Sequence, residues 1–149
     1  MRLPKSVRER FRAYGREGGR TRSQRMSPEA RSAVARRAAI RRWVRARFGA
    51  SSFQEIGLPG GELIDRGLLD LADGNETRAS LVVSLAAPRL RREGVPLPES
   101  VFPDADRRLY RLLEEENPEL AHSRYLACLR RVQSFADACS ALPGRGPRA

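Results

Sequence analysis

The chain has very few of the side chains that most enzymes and metal sites use. Its 149 residues include one histidine, His122, and two cysteines, Cys128 and Cys139. A single histidine excludes a histidine cluster for a metal and a histidine pair for catalysis within one chain, and its spacing from Cys128 does not match a zinc site. No Gly-x-Ser-x-Gly elbow or phosphate loop ending in Gly-Lys-Ser/Thr is present. We therefore expect no enzyme activity, no metal site and no cofactor.

Long apolar runs are also missing. No stretch approaches the roughly 18 apolar residues of a bilayer-spanning helix, and the arginine-rich N-terminus lacks the apolar segment of a secretory signal. An amphipathic mitochondrial presequence over residues 1–25 is a rival interpretation of that N-terminus, but the basic pattern continues to Arg47. The two cysteines fall in one predicted helix, too far apart to form a disulfide with each other. These features predict a cytoplasmic protein without membrane association.

Lysine is almost absent, and arginine carries the positive charge. Lys5 is the only lysine. Residues 1–48, called here the basic arm, contain 16 Lys and Arg against 3 Asp and Glu, whereas residues 49–149 contain 13 against 15. Such one-sided charge is typical of proteins that bind a polyanion, because cations near a phosphate backbone release its condensed counterions. The planar guanidinium group of arginine, with its several N–H donors, also matches the geometry of phosphates and base edges.

Hydrophobic spacing predicts helices and no β-strand. In the basic arm, a short helix over residues 5–14 precedes a flexible glycine-containing segment, and a second helix runs from Ser27-Pro28-Glu29 to Phe48, where Gly49 ends it. Because arginines surround the apolar residues of the second helix, we expect it to lie against phosphates and not in the core.

The remaining residues predict a small bundle behind the arm. Further helices are expected over residues 62–73, from Asn75 to Gly94 with a kink or break at Pro88, from Asp104 to Glu116, and from Asn117 to Leu142. The predicted fold class is therefore all-α, with a basic N-terminal helical arm followed by a small helical bundle. Its parts are the arm (residues 1–48), the bundle (residues 49–142) and a disordered tail (residues 143–149).

The last predicted helix has the most regular apolar spacing in the chain. Two heptad series interleave there and form a seam along one side. A seam of this kind is typical of a core helix in a bundle. It also fits a helix that pairs with a second protein chain, in a homodimer or in a complex with another protein. The candidate partner interface consists of Tyr125, Cys128, Val132, Phe135 and Cys139.

Part of the basic arm resembles a segment of small basic bacterial proteins. In them a Gly-Gly pair and alternating basic residues precede a Ser-Pro-Glu-x-Arg helix start, and an Ala/Arg-rich helix ends on Trp. The matching positions, all within residues 15–43, are Gly18, Gly19, Arg20, Arg22, Ser27, Pro28, Glu29, Arg31, Ala35, Ala38, Ala39, Arg42 and Trp43. Some of these proteins look like DNA-binding regulators or the antitoxin half of toxin–antitoxin pairs. The resemblance implies a DNA-binding arm and a helical body that dimerises or holds a toxin.

Four functions follow, in order of preference. The first is a bacterial DNA-binding regulator of the antitoxin kind, and the second is an RNA- or ribosome-associated protein that uses the same arm. An adaptor whose arm engages an acidic protein is third, and an enzyme is fourth. Most arginine contacts are expected to be to phosphate, which positions the chain without reading bases, and Trp43 either anchors the arm on the body or stacks on a base. The candidate nucleic-acid-binding residues are Arg16, Arg20, Arg22, Arg25, Arg36, Arg37, Arg41, Arg42 and Arg45.

Overall fold

The computed structural model describes residues 4–142, which form seven α-helices and no strand. The helices are α1 (Lys5–Arg25), α2 (Pro28–Phe48), α3 (Gly61–Asp73), α4 (Arg78–Leu85), α5 (Ala87–Arg92), α6 (Ala105–Glu116) and α7 (Ala121–Ala141). The all-α prediction is confirmed for this part of the chain. The tail expected over residues 143–149 lies outside the described residues. None of the helices within residues 4–142 has the length and apolar character needed to cross a bilayer.

The chain divides into two compact units, Met1–Val34 and Ala35–Ala149. The division falls inside α2, whereas the sequence predicted a boundary after residue 48. The second half of α2 belongs to the second unit because it contributes to the core there: Ile40 is 7% exposed and Val44 is 1% exposed. The expectation that this helix stays out of the core is therefore wrong for its second half.

An aromatic cluster lies at the centre of the second unit. Phe53, in the connection between α2 and α3, is fully buried and meets Phe135 of α7 edge to face, with 4.9 Å between the ring centroids. Trp43 and Phe48 of α2 make two further edge contacts with Phe53. Edge-to-face pairs of this kind add to the stabilisation that burial alone gives. The cluster therefore ties α2 and its connection to the C-terminal helix.

Close packing of α3 on α4 depends on a glycine. A Cβ at Gly67 would lie 2.4 Å from the carbonyl oxygen of Ala79 and 2.4 Å from Cγ2 of Val83. No side chain fits at that separation, so only glycine allows the two helices to approach so closely. Around this contact the core is filled by fully buried aliphatic side chains, which include Ile64, Leu68, Leu81, Val82, Leu90, Leu109 and Leu113.

Several helix ends lie where local signals predict them. The Ser27 hydroxyl accepts a hydrogen bond from the backbone N–H of Ala30 at 3.2 Å at the start of α2. Gly49 and Gly74 follow the ends of α2 and α3 with φ of +75°, a left-handed conformation that favours glycine. Pro88 lies at the start of α5, so the predicted break in the Asn75–Gly94 helix is confirmed.

Two predicted helix starts, those of α4 and α7, are wrong, and at α6 the start is right but the predicted cap is not formed. Thr77, and not Asn75, caps α4, because Thr77 and Ser80 exchange side-chain-to-backbone hydrogen bonds in a capping box. Asp104 precedes α6 but makes no capping bond with its side chain. The last helix begins at Ala121, and residues 118–120 form a turn in which the Asn117 side-chain oxygen accepts from the N–H of Leu120 at 3.1 Å.

The apolar seam of α7 packs into the core of its own unit. Cys128, Val132, Phe135 and Cys139 are buried, and partly buried Tyr125 donates a hydrogen bond to Asp106 Oδ1 at 2.5 Å. That hydrogen bond, with a smaller effect of burial, raises the pKa of Tyr125 to about 12. Of the two interpretations of the seam, the core helix is the one seen. The candidate partner interface over these five residues is therefore not retained.

Both cysteines are free thiols with little reactivity expected. Burial is the main reason that the pKa of Cys128 lies above its ordinary value and that the pKa of Cys139 rises to about 11. At neutral pH neither side chain is a thiolate, and the thiolate is the form that attacks or binds metals. Both therefore act as small apolar core residues.

Candidate nucleic-acid interface

The first helix is basic, continuous and exposed. α1 extends without a break over Lys5–Arg25 and contains no buried residue. The flexible segment expected after residue 14 is therefore helical. α1 contains eight Lys and Arg against two Glu, and no ion pair within residues 4–142 involves any of them. Their charges remain available to an external anion.

Aromatic side chains line one face of α1. Phe11 is 66% exposed and Tyr14 is 69% exposed, and helical spacing places Val7 and Gly18 on the same side. Two exposed rings on one face of a charged helix offer an apolar surface to an external partner. The i, i+4, i+7 spacing of Val7, Phe11 and Tyr14 is the signal in the sequence that identifies this face.

Tyr14 opens onto a groove that contains two of the candidate arginines. The groove has a volume of about 520 Å³, and one carboxylate accompanies its two arginines: the lining residues are Tyr14, Glu17, Gly18, Thr21, Arg22, Arg25 and Met26. An exposed ring beside arginines suits a nucleic acid, since bases stack on aromatic rings while arginines neutralise the neighbouring phosphates. Arg16 and Arg20 are one turn apart and lie on the other side of α1. The four α1 candidates therefore present charge on both sides of the helix.

The α2 candidates divide into two groups, and the first group is engaged inside the second unit. Arg36 donates from Nε and Nη2 to the carbonyl oxygen of Ala72 at 3.0 and 2.7 Å. Arg37 forms an ion pair with Asp73. Both contacts lie at the C-terminal end of α3, where carbonyls lack helical partners and cations are favourable. Arg36 and Arg37 therefore hold α2 on α3, and we do not retain them as nucleic-acid contacts.

The second group consists of Arg41, Arg42 and Arg45. All three are exposed and line a second cavity, of about 450 Å³, within the second unit. Arg45 donates to the Ser51 hydroxyl at 3.1 Å, and none of the three has a carboxylate partner among the described residues. They keep their charge for an external anion.

Trp43 serves as an anchor. Its ring contacts Phe48 and Phe53 edge to face, and the Arg47 guanidinium lies 5.3 Å from its centroid. A ring held on several sides in this way has little freedom to stack on a base. The structure thus supports the anchoring interpretation of Trp43, with the contacts made inside the second unit.

Comparison of the chain with protein-family models, curated proteins and solved structures found no match. What the interface binds must therefore be inferred from its own chemistry. That chemistry consists of an exposed basic helix with an aromatic face and, in the second unit, three arginines without carboxylate partners.

Glycines weaken the exposed helix, and replacing them is expected to stabilise it. Gly15, Gly18 and Gly19 lie inside α1, and a Cβ at each would meet no atom within 4 Å. Each glycine costs a helix about 1 kcal/mol relative to alanine. The triple variant G15A/G18A/G19A should gain helix content by circular dichroism and slow the amide exchange of α1.

Gly57 supplies the matched control. It also has open space around its Cα, but its φ is +78°, so G57A strains the backbone and should lower stability instead. Unchanged amide exchange in the triple variant would show that α1 is not limited by its glycines.

Proposed function

We propose that this protein is a cytoplasmic DNA-binding regulator of the antitoxin kind. The observation that supports this most directly is α1, a helix with a large excess of cations, no buried residue and no ion pair to any other part of the chain that the structure describes. Arginines on such a helix gain most from a phosphate backbone, where each contact releases a counterion. Arg16, Arg20, Arg22, Arg25, Arg41, Arg42 and Arg45 form the proposed contact set.

In this proposal the second unit is the body that dimerises or holds a toxin. The resemblance of residues 15–43 to small basic bacterial proteins supports that part. The antitoxin role is tested by expressing the neighbouring gene of the source genome alone and together with this one. Growth arrest by the neighbour that this protein relieves supports the role, and an inert neighbour contradicts it.

Binding to RNA is the second candidate, and the exposed Tyr14 favours it. In RNA, unpaired bases are free to stack on aromatic side chains, whereas bases inside duplex DNA are already stacked on each other. Tyr14 beside Arg22 and Arg25 provides a ring and two charges for such a base. Phosphate contacts alone do not distinguish the two nucleic acids.

A salt series on two nucleic acids tests both candidates. Fluorescence anisotropy should be recorded with a labelled DNA duplex and with an RNA hairpin of the same length. With about six phosphate contacts, log affinity against log salt should fall with a slope near −5 on the duplex. A flat salt response contradicts both candidates. Tighter binding of the hairpin at every salt concentration favours RNA.

A further inference from the structure

The cavity beside the second half of α2 combines three cations in one place. Arg41 and Arg45 lie one helical turn apart on α2, and Arg42 directly follows Arg41 and lies three residues before Arg45. Like charges at this spacing repel each other and destabilise a helix slightly. Arg36 and Arg37, earlier on the same helix, are held by the Ala72 carbonyl oxygen and by Asp73, whereas the described residues give the three cavity-lining arginines no carboxylate partner.

The connection between α2 and α3 adds polar groups to this cavity. The Ser51 hydroxyl accepts from Arg45, and the Ser52 hydroxyl accepts from the backbone N–H of Glu55 at 3.1 Å. Each hydroxyl therefore keeps its own proton for donation to an anion. Both serines line the cavity, and together with the three arginines they supply hydrogen-bond donors to it.

Asp65 is the one acidic residue that lines this cavity. Its carboxylate accepts from the backbone N–H groups of Phe53 and Gln54 at 3.0 and 2.9 Å. Burial has the largest effect on its pKa and holds it above the ordinary value, against the lowering effect of those two hydrogen bonds. The carboxylate has further lone pairs, so it can also accept from a hydroxyl or amino group of a ligand.

The lining residues therefore select an anion that also carries hydrogen-bond donors and an apolar part. Three arginines against one aspartate leave the lining with a net positive charge. Leu69, Ile40 and Val44 supply an apolar wall. The volume of about 450 Å³ lies in the range of small-molecule sites. A phosphate on arginine forks is among the strongest charge-assisted contacts.

We infer that this cavity binds one nucleotide, with its phosphate on Arg41, Arg42 and Arg45 and a sugar hydroxyl or base amino group on Asp65. The inference rests in part on the proposed function, because the three arginines belong to the proposed contact set. The nucleotide has two possible sources, a free nucleoside monophosphate or one unit of a nucleic-acid strand. The chemistry at the cavity is the same for both.

Titration calorimetry of the full chain with AMP tests the inference. Saturable binding of one AMP per chain is expected, tighter than that of inorganic phosphate because Asp65 and the apolar wall add contacts. The variant R41Q/R45Q should weaken AMP binding about tenfold or more, since each lost contact is charge-assisted. R41K/R45K keeps the positive charges but lacks the planar guanidinium groups that bind a phosphate through two N–H donors. Its loss of affinity for AMP should therefore be smaller. It serves as the second variant if the glutamine variant loses structure.

R107Q/R111Q of α6 is the matched control, because both arginines are exposed and lie outside this cavity. It should bind AMP like the unmodified chain. Competition by an oligonucleotide identifies the source: displacement of AMP by the strand indicates a unit of nucleic acid, and no displacement indicates the free nucleotide. Absence of saturable AMP binding, or equal losses in R41Q/R45Q and R107Q/R111Q, would overturn the inference. Salt-dependent DNA binding that persists in that case leaves the proposed function intact.

Discussion

Removing residues 1–48 is expected to unfold the rest of the chain, whereas removing residues 1–26 is expected to leave the second unit folded. The shorter deletion keeps Ser27 as the cap of α2 and keeps the whole helix. The longer deletion removes α2. Comparison of the two therefore measures what α2 contributes to the fold.

The size of this effect follows from burial. Ile40 and Val44 are almost fully buried, and full burial of an aliphatic side chain contributes about 1.5–3 kcal/mol. The longer deletion also removes the rings of Trp43 and Phe48 from the aromatic cluster and leaves the Ala72 carbonyl without Arg36. These losses together approach the roughly 5–15 kcal/mol total stability of a small domain.

Unfolding by urea, monitored by circular dichroism, measures the stability of both deletion variants. The 1–26 deletion should unfold cooperatively, and the 1–48 deletion should show no cooperative transition. As a graded control, I40A/V44A in the shorter chain should lose stability by several kcal/mol, since each substitution leaves a cavity. If the 1–48 deletion unfolds at the same urea concentration as the shorter one, α2 is not part of the core.

Replacing four arginines of α1 by glutamine is expected to remove most of the affinity for duplex DNA. The variant R16Q/R20Q/R22Q/R25Q keeps unbranched polar side chains of similar helix propensity but deletes four charges. If each arginine contacts one phosphate, the slope of log affinity against log salt should become less negative by about 3.6. At moderate salt we expect an affinity loss of about two to three orders of magnitude, because four counterion-releasing contacts disappear.

A control variant that loses the same number of positive charges elsewhere distinguishes contacts made by α1 from an effect of the overall net charge. R92Q/R107Q/R111Q/R130Q removes four exposed arginines of the second unit for which the described residues provide no partner. It should change the slope far less than the α1 variant. Equal changes in both would mean that DNA responds only to overall charge, and no change in the α1 variant would exclude α1 from the interface.

The sequence predicted well those features that depend on neighbouring residues. Ser27 caps α2, Gly74 ends α3 and Pro88 separates α4 from α5, because a cap, a left-handed glycine and a missing N–H each act within one helical turn. The wrongly predicted starts of α4 and α7 also depend on residues that are close along the chain. At α4, Thr77 competes with Asn75 as the cap and has Ser80 as its reciprocal partner.

The role of each arginine was beyond the reach of the sequence. Arg37 and Arg41 are one helical turn apart in the same basic segment, yet Arg37 pairs with Asp73 and Arg41 lines an open cavity. Nothing near them along the chain distinguishes the two. The difference arises from α3, whose C-terminal end lies beside Arg37 and whose Asp65 lies at the cavity.

The amino-acid sequence by itself determined the all-helical class and the concentration of positive charge before residue 49, because helix periodicity and charge are properties of neighbouring residues. Only the tertiary structure decided that the second half of α2 belongs to the core and that the α7 seam faces its own unit. Burial is decided by which apolar faces meet, and residues as far apart as Phe53 and Phe135 meet only when the chain is folded.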